Sequence, residues 1–517
     1  MDLPFSDRCD ARLPPLAWCL TLRPGERAAL LRGRGVEVSA SGYCEGVWDG
    51  DYAAGRADEA DSCMGSAGRL EGDAWVVSTP SHVLEGLYSI RRDDVLHVSN
   101  SYVFLLVRAG LSLDPDYRRY LLDLRSGCFG LARGVNVFPA AGGETFCRHL
   151  ACNLRIGPDL DVRRAGKPRP PHFRDFAQYR AYLVDALRSL AANGAHPARR
   201  QPFRMLASVS RGYDSPACAA LAAEAGCKEA MTIRDSSWGS VASDDGTAIA
   251  ERLGLAVHAA SLEAYAQGPG LTEAEFVAMG DAGDVQFAAF EDLLPGRMLV
   301  TGMCGDDVWS PEARRVSADL ARTNAGGSSL GEFRLRVGFA HVPVPTIGGR
   351  RHPDIHAITC SAQMDPWRLD SHYDRPIPRR ITEEKGVPRD WFGRGKSATA
   401  IWWTLRKPKP ESADSYLQFR QARRLSHSRR AEEALHGAAY RLSRAWFRGS
   451  QLLSRALRRA GVHVELPQVI PRRYTEPANE DMLVQWGAAA IAARYVGEPA
   501  QDQPAPVRRG AVRESRA

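Results

Sequence analysis

Several things are scarce or missing in this chain of 517 residues, and each narrows what it can be. No run reaches the roughly 18 apolar residues that a membrane-spanning helix requires, so no span is expected. The opening stretch places acids and prolines before and inside its only apolar run, which is not the pattern of a signal peptide. The eleven cysteines are scattered, odd in number and never spaced C-x-x-C, so they read as reduced thiols of a cytoplasmic protein. Cys147 and Cys152 flank His149, but two further ligands at zinc spacing are missing. No charge of one sign dominates: the net charge is +7, and a solvated basic exterior accounts for it as well as an anionic partner does. What remains is a globular composition, 44% hydrophobic and 25% charged, with length enough for two domains and appendages.

The most informative stretch is residues 206–222. An apolar, partly β-branched run over 203–209 reads as a buried parallel strand. A polar loop follows, Ser210-Arg211-Gly212-Tyr213-Asp214-Ser215, and Pro216 then sits in the first turn of an alanine-rich helix. A loop between a strand and a helix N-terminus aims several backbone N–H groups at one point. Together with the serine hydroxyls, this suits phosphate oxygens. Asp214 has the wrong charge for bare phosphate and the right one for a Mg²⁺ ion that bridges phosphates. A strand–turn–helix without a ligand is the plain alternative.

The hexapeptide resembles the S-G-G-x-D-S pyrophosphate loop of the asparagine synthetase and β-lactam synthetase family, with Arg211 in place of the first glycine. That change puts a Cβ and a guanidinium where a close backbone approach is expected. The resemblance extends in both directions. Short strands over 16–22, 74–78, 87–91, 95–99 and 102–107, a turn at Asp93-Asp94 and a weaker helix over 116–124 are similar to the family's glutaminase-like N-terminal domain. The run from Gly86 to Arg92 carries that likeness best. The family's nucleophile is a cysteine at the second position, where this chain has Asp2, so no glutamine hydrolysis is expected.

Residues 156–172, dense in Arg, Pro and Gly, read as a linker. Phe176, Tyr179, Leu183, Leu187 and Leu190 then recur at helical spacing up to a stop at Asn193-Gly194. Strands over 230–233 and 255–259, with a helix over 244–253 between them, imply crossovers and a parallel sheet. Ligands on such sheets bind beyond the carboxyl ends of the strands, and the resemblance puts adenosine near Ile233. Ser243-Asp244-Asp245 reads as a charged helix start, and Thr272-Glu273-Ala274-Glu275 as a capping box. After a strand over 297–301, Gly302-Met303-Cys304-Gly305-Asp306-Asp307 looks like the family's S-G-x-G-x-D-E segment, which makes Asp306 a second Mg²⁺ ligand.

Farther on the likeness thins. The family's R-x-P-F-L-D stretch is replaced by Val342-Pro343-Val344-Pro345-Thr346-Ile347, which lacks the acid and argues against aspartate as substrate. Arg375 to Arg380 reads either as an anion clamp or as a proline-fixed surface loop. The Phe392 to Lys396 segment resembles the family's lysine segment, so Lys396 is the candidate to balance charge as pyrophosphate leaves. The arginine-rich stretch 420–459 suggests amphipathic helices with solvated arginines, 481–495 a final helix, and the tail disorder.

The resemblance therefore implies an α/β protein, a β-rich glutaminase-like domain followed by a doubly wound, Rossmann-like synthetase domain. The expected boundaries are 1–155, a linker at 156–172, 173–410 for ATP binding, a basic helical extension at 411–497 and a tail at 498–517. Its implied activity is an ATP- and Mg²⁺-dependent ligase that adenylates a carboxylate and passes it to an amine or ammonia, supplied free or by a partner amidotransferase. Ser210, Arg211, Gly212, Asp214, Ser215, Ile233 and Gly302 would hold nucleotide, Asp214 and Asp306 metal. A non-catalytic nucleotide-binding descendant and an RNA-modifying pyrophosphate-loop enzyme are the alternatives.

Overall fold

The computed structural model describes residues 3–235, 243–393 (apart from 269, 281, 314 and 370–372), 409–423, isolated positions between 438 and 453, and 480–496. The chain is mixed α/β with several sheets. Over its first third, a seven-stranded sheet and a six-stranded sheet bury a shared core that includes Trp18, Leu20, Trp75, Val77, Val98 and Leu154. Strand alternation puts Trp18 and Leu20 into that core, while Cys19 between them faces the opposite side. The hairpin Leu87–Arg92 to Val95–Ser99 turns at Asp93, whose φ of 52° is left-handed.

Two expectations for this region change. Tyr102–Arg108 is a helix and not a strand: Ser101 caps it, its hydroxyl accepting from Phe104 N at 3.0 Å. Residues 102–106 are all buried, so the run carries no alternation that could separate strand from helix. The stretch expected as linker continues the six-stranded sheet, where Val162–Gly166 pairs antiparallel with Cys152–Ile156. Backbone pairing at a sheet edge does not need an apolar pattern, so exposed arginines there are compatible with a strand.

The helix Phe176–Gly194, capped by Asp175, leads into a five-stranded sheet in which every neighbouring pair is parallel. Its order is Ala256–Ala260, Glu229–Ile233, Arg204–Ser208, Arg297–Thr301, Ala340–Pro343. The expected capping box is absent. Thr272 is already helical, and the acids serve tertiary contacts: Glu273 accepts from Lys409 N at 2.8 Å and Ser412 Oγ at 2.5 Å, and Glu275 pairs with Arg336 and Arg494. The final helix, Glu480–Ala492, crosses Thr272–Met279 closely. A Cβ on Gly487 would lie 2.6 Å from Ala274 O, so this crossing requires glycine. Among the described residues no helix is long and apolar enough to cross a membrane. All eleven cysteines are free.

One core cluster runs from Leu13 to Tyr495 through both halves, and buried ions cross the same boundary. Arg334 sits 2.7 Å from Glu45 and 2.8 Å from Glu85, all three nearly inaccessible. Removing one partner from such a pair leaves an uncompensated buried charge. Arg334→Met, which leaves Glu45 and Glu85 buried without their cation, should therefore lower unfolding stability by about 3–5 kcal/mol in urea titrations. Ser101 Oγ and Tyr495 Oη both donate to Glu332, and burial pushes its carboxyl up from 4.5 to about 7. Such a group favours the folded state at low pH, and its contribution is lost as pH rises from 4.5 to about 7. Glu332→Gln should flatten the stability profile across that interval, as read by denaturation at a series of pH values.

Candidate functional site

The strand order reverses between Arg204–Ser208 and Arg297–Thr301, so the connections from these neighbours leave toward opposite sides and open a crevice at their carboxyl ends. A cavity of about 270 Å³ lies there. Three strand ends line it: the 208–215 segment, Met231 to Ile233, and Thr301 to Met303. Asp244, Asp306 and Tyr373 add polar groups, and Phe287 and Phe290 an apolar wall.

The 210–215 loop is tied to itself. Ser215 Oγ accepts from Ser210 N at 3.0 Å and lies 2.9 Å from Ser210 Oγ, which accepts in turn from Gly212 N at 3.3 Å. Helix Asp214–Glu224 starts within the loop, so the N–H groups of its first turn have no intrahelical acceptor. The segment before Thr247, expected as helix start, instead packs along the loop. Asp244 Oδ1 accepts from Arg211 N at 2.9 Å, and a Cβ on Gly246 would meet Val209 backbone at 2.7 Å.

Arg211 does not fill the crevice. Its φ is not left-handed, its Nε donates to Trp391 O at 3.1 Å, and it is absent from the cavity lining. Its side chain is held at the Trp391 carbonyl and does not enter the cavity lining. Tyr213 anchors the loop from below: Arg379 donates to its hydroxyl and lies 4.9 Å over its ring. This overturns the surface-loop alternative for 375–380, since Pro376 and Pro378 open a helix and Arg375 and Arg379 are 9% and 1% exposed. Arg375 caps the turn behind the cavity, donating to Asp374 O at 2.7 Å.

The 302–306 turn meets this loop backbone to backbone. A Cβ on Gly302 would lie 2.5 Å from Asp214 C, and one on Gly305 would lie 2.3 Å from Asp214 Cγ. Cys304 supplies the left-handed residue of the turn, φ 74°, and Asp306 faces the cavity. Asp307 points elsewhere: its Oδ1 accepts from Thr323 N at 2.9 Å and Thr323 Oγ1 at 2.7 Å. Burial raises the pKa of the Asp307 carboxyl. Burial also raises the pKa of the Tyr373 phenol, reinforced by the negative charges of Asp214 and Asp306. Among the described residues no group of three or more His, Cys, Asp or Glu is arranged to hold a metal ion. Asp214 and Asp306 both line the cavity, and two carboxylates suit an ion that takes its other ligands from phosphate and water.

The structure thus brings Ser210, Gly212, Asp214, Ser215, Ile233, Gly302 and Asp306 to one cavity, while Arg211 is not part of its lining. Lys396 and Asp2 lie outside the described residues, as does most of 420–459. Asp244, Thr301, Gln286, Phe287, Phe290, Met303 and Tyr373 also line the cavity and carry no cue at the level of motif. Asp244, Thr301 and Met303 stood in stretches already singled out, without being named as site residues. No protein-family model matches the chain, and no curated protein does.

The glycines separate packing from binding. Gly302→Ala and Gly305→Ala should each cost about 1–3 kcal/mol of stability, because the methyl meets backbone or a carboxylate that cannot yield. Gly212→Ala, whose methyl would meet, among the described residues, only Ser210 Oγ at 3.5 Å and Tyr373 Oη at 4.0 Å, should stay within about 0.5 kcal/mol. Urea denaturation of the three variants checks both statements.

Proposed function

We propose that this chain is an ATP-dependent, AMP-forming carbon–nitrogen ligase of the asparagine synthetase type. It activates a carboxylate and passes it to an amine or to ammonia. The observation that carries the reading is the convergence of the 210–215 loop and the 302–306 turn, which places Asp214 and Asp306 on one cavity at the reversal of a parallel sheet. In this reading the sheet is the doubly wound synthetase core, preceded by a glutaminase-like domain, and the protein works in the cytoplasm.

The residues present fit a magnesium nucleotide. Ser210, Gly212, Ser215 and the first turn of Asp214–Glu224 form a cradle of donors for phosphate oxygens, and Ile233 with Phe290 offers an apolar wall for a base. Mg²⁺, when bound, supplies positive charge that offsets the charge building on departing pyrophosphate. Asp214 and Asp306 are the side chains that would hold it. The 342–347 segment packs its Val344 and Ile347 into the core and contributes nothing to the cavity lining, in keeping with an acid other than aspartate. Nitrogen then comes from free ammonia, a partner amidotransferase or a substrate amine.

Calorimetric titration with α,β-methylene-ATP tests this. The unaltered protein should bind it only with Mg²⁺ present, and Asp214→Ala and Asp306→Ala should each weaken binding at least about tenfold, roughly 1.4 kcal/mol. Binding indifferent to both changes, or no binding at all, contradicts the reading.

A further inference from the structure

One wall of the cavity carries a polar atom with nothing to bind. Gln286 lines the cavity and is 9% exposed, and its Oε1 is buried without a hydrogen-bond partner. Buried polar atoms of folded chains are almost always paired, because an unmade hydrogen bond forfeits the solvation that burial removed. The short helix Val285–Phe290 that carries Gln286 is tied down at its start. Asp284, just before it, accepts from Gly327 N at 2.9 Å, Ser329 N at 3.2 Å and Ser329 Oγ at 2.6 Å.

The course of that helix tells the cavity walls apart. It starts beside Met303, since a Cβ on Gly327, which Asp284 holds, would collide with Met303 Sδ. It ends at the sheet edge, where Ala289 and Phe290 share a surface groove with Ala260, the residue opposite Ile233. From Gln286 to Phe290 is about 8 Å at the rise of a 3₁₀ helix. Phe290 therefore belongs with Ile233, at the end suited to a base, and Gln286 and Phe287 belong with Met303. The cradle of Ser210, Gly212 and Ser215 takes the phosphates, which leaves the Gln286 end for the acid. Charge narrows which acid. Among the described residues the lining holds Asp214, Asp244 and Asp306 but neither Lys nor Arg. A second carboxylate on the substrate would meet acids and no cation there, whereas Phe287 and Met303 offer apolar surface.

We infer that Gln286 selects the carboxylate substrate, a monocarboxylic acid with an apolar body and one hydroxyl that meets the Gln286 amide. The inference rests on the ligase reading. A half-turn about Cγ–Cδ exchanges the covered Oε1 with Nε2, and that torsion is a soft one. The bound hydroxyl then supplies the donor that the oxygen lacks. The carboxylate oxygen bonds to the α-phosphorus as the phosphorus–oxygen bond to pyrophosphate breaks, and pyrophosphate leaves with that electron pair. Gln286 touches the substrate away from the reacting atoms, so it governs which acid is used. An acid without the hydroxyl leaves the amide oxygen unpaired and is disfavoured.

Exchange of labelled pyrophosphate into ATP reads activation of the acid before any amine is needed. The panel pairs 4-hydroxyphenylacetate with phenylacetate and 5-hydroxypentanoate with pentanoate, and adds the diacids aspartate and glutarate. In at least one pair the hydroxy acid should exceed its partner, and both diacids, by about tenfold or more in kcat/KM. Gln286→Met should bring the ratio within that pair to about 1 and leave binding of α,β-methylene-ATP unchanged. It should also keep or raise the urea midpoint, because an unpaired buried amide gives way to an apolar chain of similar length. Equal rates within both pairs, faster exchange with the diacids, or a ratio unchanged in Gln286→Met overturns the inference. So does a loss of nucleotide affinity in Gln286→Met, which would make the amide a reader of the base, or a lower urea midpoint, which would make it a structural group. No exchange with any acid, in protein that binds the nucleotide, overturns the ligase reading on which the inference rests.

Discussion

The site depends on one close approach. The turn after Arg297–Thr301 lies against the first turn of Asp214–Glu224 at a distance that leaves no room for a Cβ at Gly302 or Gly305. Parallel pairing of the two preceding strands sets the height at which their ends emerge, with Leu206 opposite Leu299. The glycines then let the two backbones close on each other. Asp214 and Asp306, more than ninety positions apart in sequence, therefore reach the same cavity wall. A side chain at either glycine would push the carboxylates apart before it touched any ligand.

Much of this was legible in the chain because it rests on local chemistry. The 176–194 helix announces itself by period, the 204–208 strand by its apolar run, and the loop by its serines and glycine. Residues with two jobs were harder. In the helix Tyr102–Arg108, residues 102–106 are all buried and so show no readable period. Glu273 and Glu275 have capping chemistry yet spend it on partners far along the chain. Arg211 looked obstructive because a sequence gives its identity and not the direction of its side chain. Gln286, Phe290 and His341 reach the site or its back wall only through tertiary packing, which no neighbouring residue encodes.

The two halves of the chain are joined by buried charge as well as by apolar contact. Arg199 is fully covered, 3.2 Å from Glu37 and stacked 4.3 Å over Tyr52, and Arg334 is clasped between Glu45 and Glu85. Pairs of this kind contribute little net stability but penalise any arrangement that leaves one member alone. They fix the first half against the parallel sheet in one register. That register brings Glu85 beside Arg334 and within 3.9 Å of the buried His341.

The central claim is that the 210–215 loop and the 302–306 turn together form a magnesium–nucleotide site. A crystal structure with Mg²⁺ and α,β-methylene-ATP tests it most directly. The account predicts phosphates on the cradle of Ser210, Gly212 and Ser215, a metal ion shared by Asp214 and Asp306, and the Arg211 side chain still directed at Trp391 O. Nucleotide bound away from this cavity, or a metal ion that engages neither aspartate, would contradict it.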